Sequence, residues 1–151
     1  MPKLLIFLMV LPLLGSCSNS IATSKDSDSK DAFVVLYNSE YGGSGSDHFE
    51  VITDLSDWLR IWEELTFQDA ESAPEFNPNS EMIIRKDFQS RNMGGNEYQI
   101  SGIKINGNQI DIQYNIKSSK IGTDAITAPI MLIRVKKTDH PQIRFEQLRQ
   151  E

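Results

Sequence analysis

Tyr98-Gln99-Ile100-Ser101-Gly102-Ile103-Lys104-Ile105-Asn106-Gly107-Asn108-Gln109-Ile110-Asp111-Ile112-Gln113-Tyr114-Asn115-Ile116-Lys117 reads as two strands folded back on each other. In its second half Ile110, Ile112, Tyr114 and Ile116 alternate with Asp111, Gln113, Asn115 and Lys117, the period-two pattern of a strand with one buried face. The first half changes phase. Tyr98 and Ile100 alternate in one register, Ile103 and Ile105 in the other, and a strand holds all four on one face only if it takes in an extra residue. The sequence therefore predicts a β-bulge at Ser101-Gly102. Between the halves, Asn106-Gly107-Asn108 supplies a two-residue hairpin turn, either Asn106-Gly107 or Gly107-Asn108.

Working outward, Phe33-Val34-Val35-Leu36-Tyr37, Met82-Ile83-Ile84-Arg85 and Ile130-Met131-Leu132-Ile133 are continuous apolar runs, as expected of strands covered on both faces. His48 to Ile52 and the segment around Ile143 and Phe145 are shorter strands, and Tyr41 to Asp47 is a glycine-rich, flexible loop. The helix spans Asp54 to Leu65. Asp54 is a suitable N-cap, and Leu55, Trp58, Leu59, Trp62 and Leu65 make one apolar stripe at spacings of three and four. The expected fold class is α+β, a mainly antiparallel β-sheet of six or seven strands with one amphipathic helix packed on it.

The N-terminus has a different character. Lys3 is followed by an uncharged apolar run from Leu4 to Leu14, shorter than the roughly 20 residues of a spanning helix, and then by Gly15 and Ser16. Cys17, the single cysteine, comes next. A segment ending Leu14-Gly15-Ser16-Cys17 resembles the lipobox of bacterial lipoproteins. The resemblance implies cleavage before Cys17, a diacylglycerol on its sulfur and a further acyl chain such as palmitate on its amino group, enough for stable anchoring. A lone cysteine in an exported protein has no internal disulfide partner, in keeping with that use. Residues 18–31 are rich in Ser, Asp and Lys and too poor in apolar side chains to order themselves. The expected organisation is a signal peptide at 1–16, lipidated Cys17 with a flexible tether at 17–31, and a domain at 32–148. As a random coil the tether reaches on the order of 20 Å.

Charge narrows the partners. Loss of residues 1–16 takes the net charge from −6 to −7, which disfavours nucleic acid. Residues 17–81 carry 14 acids against 3 bases, and residues 82–151 carry 7 against 11. These halves either neutralise each other within one domain or leave a basic patch drawing on Arg134, Lys136 and Lys137.

Residues for catalysis are scarce. His48 and His140 have no ligand spacing, Gly42-Gly43-Ser44-Gly45-Ser46 lacks the pattern of a nucleophile elbow, and no phosphate-binding loop is present. Asp26, Asp28 and Asp31 lack the glycine and distal glutamate of a calcium loop. Asp54, Asp57, Glu63 and Glu64 read as a solvated helix surface. The expectation is a non-enzyme with no cofactor and no metal. The segment that stands out is Gln89 to Ile100, in which Gly94-Gly95 permits positive φ and a close approach to another chain.

Met82-Ile83-Ile84, then Gly94-Gly95-x-x-Tyr98-x-Ile100, a hairpin, Thr127-Ala128-Pro129 leading into Ile130 to Lys137, and Ile143-x-Phe145 together resemble the protease complex subunit PrcB-like domain. The helix with Trp58 and Trp62 is similar to the one that often precedes that pattern. The likeness spans residues 33 to 146; Asn96 and Glu97 stand where the family more often has tyrosine directly after the glycines, and Ile130 replaces an aromatic. It implies an accessory lipoprotein that associates with an envelope protease and stabilises its complex without catalysis of its own. The candidate partner contacts that it carries over are Gly94, Gly95 and Tyr98. The alternative is an envelope lipoprotein that binds a small molecule or glycan near the Tyr41 to Asp47 loop. Ser18 rather than Asp follows Cys17, which points to the outer membrane where a bacterium has two.

Overall fold

The computed structural model describes residues 33–67, 69–118 and 124–148. The signal segment, Cys17 and the tether lie outside them. Among the described residues seven strands and one α-helix follow in the order β1 (Val34–Ser39), β2 (His48–Ile52), α1 (Leu55–Thr66), β3 (Glu81–Asp87), β4 (Asn96–Asn106), β5 (Gln109–Ser118), β6 (Ile130–Lys136) and β7 (Gln142–Gln147), with a 3-10 turn at Ala70–Ser72. The fold is α+β and mainly β.

The hairpin of β4 and β5 has the bulge the sequence predicts. Ile100 pairs with Tyr114 and Gly102 with Gln113, so Ser101 is the extra residue. Asn106 pairs with Gln109, which makes Gly107-Asn108 the turn. Gly107 has φ +63° and Asn108 is not left-handed, the positive-then-negative pattern of a type II′ turn.

The strands form two sheets rather than the single one expected. One has the order β1-β6-β3-β2 and the other β4-β5-β7. All neighbours are antiparallel except β5 and β7, which run parallel with Ile110 opposite Ile143 and Ile112 opposite Phe145. The cause is where β6 ends. Lys136 lies opposite Glu81, at the end of the domain from which β5 also departs. Residues 137–141 are too few to double back along the domain, so β7 runs the same way as β5.

The four-stranded sheet is the middle layer of three. Met82 and Ile84 of β3 and Met131, Ile133 and Val135 of β6 face the other sheet, where they meet Tyr98, Ile103, Ile110 and Ile112. Ile83, Leu132 and Ile52 face the helix and meet Trp58, Ile61 and Trp62. This double burial accounts for the unbroken apolar runs of β3 and β6. The helical stripe is rotated from the expected one: Ile61 is buried and Leu55 is exposed. Asp54 caps the helix by accepting from the Ser56 N–H at 2.8 Å. The indole N–H groups of Trp58 and Trp62 donate to Pro74 O and Ser72 Oγ, both at 3.0 Å, and so tie residues 70–76 beside the helix, where Ala73 and Phe76 pack against the same core.

Candidate functional site at the loop end

Three connections leave the strands at one end. Ser39 ends β1 opposite Ile130, Asp87 ends β3 opposite both Ile130 and His48, and Asn96 begins β4 opposite Ser118. Segments 40–47, 88–95 and 124–129 therefore meet above the sheets. Helix α1 starts at the other end and returns to this one, where the Tyr37 hydroxyl donates to Leu65 O at 3.4 Å.

The Tyr41 to Asp47 loop, expected to be flexible, is held along its length. Gly43 N–H donates to Ala128 O at 2.9 Å and Ser90 N–H to Gly45 O at 3.0 Å. A β-carbon on Gly43 would stand 2.6 Å from Pro129 O, so this glycine provides close approach rather than freedom. Ser44 N–H donates to Asp87 Oδ2 at 2.8 Å. Asp87 is buried and ion-paired with Arg85 at 2.9 Å, and Arg85 also reaches Glu50 at 3.2 Å. Burial alone would raise the Asp87 pKa, but hydrogen bonds from Arg85 and Ser44 outweigh it and hold the carboxyl below its usual value.

The expected contact residues are drawn inward. Gly94 is buried. Gly95 has φ +84°, and with Asn96 it turns two successive N–H groups onto the Glu40 carboxylate, Gly95 N–H at 3.0 Å and Asn96 N–H closer still. Successive N–H groups in this conformation make an anion-binding concavity, here filled by a side chain of the same molecule. Tyr98 is 2% exposed. Its ring packs tilted against Phe88 at 4.2 Å between centroids and lies roughly parallel to Tyr114 at 6.4 Å. Its alternation with Ile100 and the bulge turn Tyr98 into the core. Neither its backbone nor that of Gly95 forms an open edge: Asn38 Nδ2 donates to Tyr98 O at 2.7 Å, beside the Glu40 bonds.

Among what this end exposes are four large apolar side chains, of which Tyr41 and Met93 lie in segments that stood out in the sequence and Phe67 and Ile126 do not. Tyr41 is 54% exposed, Phe67 94%, Met93 55% and Ile126 75%. Phe67 caps the helix in the left-handed conformation at φ 55°, which bulky residues seldom adopt. The end of the helix that it caps lies beside the loops, because a β-carbon on Gly42 would meet Leu65 Cδ2 at 3.2 Å and Ile130 Cγ2 at 3.6 Å. Comparison of the chain with family models, with curated proteins and with solved structures finds no match.

The remaining expected groups lie elsewhere. Arg134 bonds Glu75 O and pairs with Glu81 at 3.5 Å, and Lys137 Nζ donates to Pro78 O at 2.6 Å, so of that basic trio only Lys136 is fully exposed without such a contact. Asp57, Arg60 and Glu64 form exposed ion pairs along the helix. Among the described residues no helix is long and apolar enough to cross a membrane, and no three His, Cys, Asp or Glu side chains gather as a metal site.

Proposed function

We propose that this chain is a membrane-anchored, non-enzymatic accessory lipoprotein of the cell envelope that binds and stabilises a partner protein through its loop end. The partner class that the PrcB-like resemblance implies is a protease complex. The observation that carries the reading is the grouping of Tyr41, Phe67, Met93 and Ile126, all more than half exposed, on segments that meet at one end of the domain. Apolar side chains collected on loops are costly in water and gain from being covered, as protein contact surfaces are. Single exposed residues would need no such account; four at one end do.

The direction of the chain supports the same reading. Strand β1 begins at Val34, opposite Arg134 towards the far end of β6, and ends at Ser39 below the loops. A tether leading from Cys17 into Val34 joins the end opposite the loops, which leaves the apolar side chains facing away from the bilayer. Strand addition at the first residues of β4 is disfavoured, because Asn38 and Glu40 already occupy that edge. Docking of the loop tips is favoured.

The test is affinity capture of the mature lipoprotein with its partners from solubilised envelope. A stoichiometric protein is expected with the wild-type chain and is lost with Phe67→Glu and Ile126→Glu combined, in a protein that melts as before. Capture unchanged by those substitutions would overturn the loop-end assignment. Cys17→Ala is expected to abolish lipid labelling and membrane retention; continued labelling would remove the anchor from the proposal.

A further inference from the structure

Between the two sheets, under the loop end, is a cavity of about 320 Å³ whose walls include Asp47, Phe88, Arg91, Tyr98, Tyr114 and Ile116. Its polar groups have unequal commitments. Asp47 is spoken for: one carboxylate oxygen accepts from Lys86 Nζ at 2.5 Å, and Lys86 is itself buried, between the rings of Phe88 and Phe145 at 5.5 and 5.0 Å. That pair is electrically closed. Arg91 makes no ion pair among the described residues, and its guanidinium lies over the Tyr98 ring at 5.9 Å. The Tyr98 hydroxyl is buried, and among the described residues Arg91 can donate to it while its own proton has no acceptor.

A buried hydroxyl whose proton has no acceptor is a cost that native proteins seldom carry unless something fills the place. Burial raises the pKa of Tyr98, opposed by the charge and hydrogen bonding of Arg91 and reinforced by the Glu40 charge, and burial together with Asp47 and Tyr98 raises that of Tyr114. Both phenols thus stay protonated at neutral pH and can donate. A guanidinium without a counter-ion, a protonated phenol that needs an acceptor and flanking aromatic faces are complementary to one kind of group, a carboxylate borne on an apolar or aromatic body.

We infer that the cavity between the sheets is a binding site for a carboxylate, received by the Arg91 guanidinium and the Tyr98 hydroxyl, with its apolar body against Phe88 and Tyr114. The inference is independent of the partner-protein reading. The carboxylate comes either from a free small acid or from the C-terminus of a peptide, and the volume accommodates a group the size of one aromatic amino acid in both cases.

The experiment is isothermal titration of the full mature chain in detergent micelles with 3-phenylpropionate and its amide, and with a tetrapeptide ending in phenylalanine as free acid and as amide. Saturable binding of at least one acid, weakened about tenfold or more by amidation, is expected, because a charge-assisted contact is lost. Arg91→Gln should weaken the acid by a similar factor. Tyr98→Phe, which keeps the ring packing, should weaken it by a smaller one, and Lys104→Gln on the exposed face of β4 should change nothing. Binding by only one acid identifies the source of the carboxylate. The inference is overturned if neither acid binds, so that the cavity holds water only, if acid and amide bind alike, or if Arg91→Gln binds as the wild type does.

Discussion

Glu40 and Gly95, 55 residues apart in sequence, are joined by a 3.0 Å hydrogen bond from the glycine N–H to the carboxylate. The other oxygen of Glu40 takes the Asn96 N–H, so one side chain following β1 fixes the turn that leads into β4. Glu40→Ala leaves both donors unpaired in a partly buried place, at an expected cost of about 1–3 kcal/mol. Gly95→Ala keeps the bonds but puts a β-carbon at φ +84°, at a cost of about 1–2 kcal/mol. Urea unfolding measures both. Amide exchange separates them from general damage: in Glu40→Ala, Gly95 and Asn96 should exchange faster while Ile84 in the central sheet keeps its protection.

Asp87 is expected to make the domain sensitive to acid. Its carboxyl pKa is lowered in the folded chain, so the stabilisation it gives is complete above the unfolded value, about 4. It is lost as the pH falls through the lower, folded value. Asp87→Asn should flatten the dependence of stability on pH below about 4. At neutral pH it should also cost about 3 kcal/mol, since Arg85 loses its closest anion and is only 21% exposed. A variant whose acid unfolding profile matched the wild type would show that Asp87 is not the responsible group.

Deleting Ser101 tests the bulge. Without the extra residue, β4 can bury Tyr98 and Ile100 or Ile103 and Ile105, but not both pairs. Ile103 is 3% exposed and Tyr98 2%, and each buried side chain of this size contributes about 1.5–3 kcal/mol. Losing either set removes much of the stability of a small domain, so the deletion should abolish cooperative thermal unfolding. Ser101→Ala, at an exposed position, should melt within a degree or two of the wild type.

The bulge was legible because alternation is a local signal and a change of phase has one local remedy. The helix was legible for the same reason, although Ile61 rather than Leu55 turned out to be buried, because the helix tilts its stripe towards Ile83 and Leu132. The division into two sheets was not legible. A parallel pair such as β5 and β7 has no turn to announce it, and depends on which end of β6 the chain leaves. The site divides in the same way. Gly94-Gly95 stood out as a pair, but the carboxylate that uses Gly95 comes from Glu40, and no local pattern links them. Phe67 lies just past the helical stripe, and its 94% exposure accompanies the left-handed cap that ends the helix there.

Lys86 and Asp47 should respond unequally to removal. The ammonium is buried, with a side chain 5% exposed, whereas the carboxylate is 69% exposed. Asp47→Ala strands a cation among the Phe88 and Phe145 rings, and breaking such a pair from the exposed side should cost about 3 kcal/mol, partly relieved by the cation–π contacts. Lys86→Met has a similar volume, leaves Asp47 to water at little cost and adds apolar contact at the same rings. It should be neutral or stabilising by about 1 kcal/mol. Chemical unfolding of both variants and of the double variant measures the asymmetry. If Lys86→Met were the more damaging of the two, the ion pair would be contributing net stability, and the burial of Lys86 would no longer be a cost that Asp47 merely offsets.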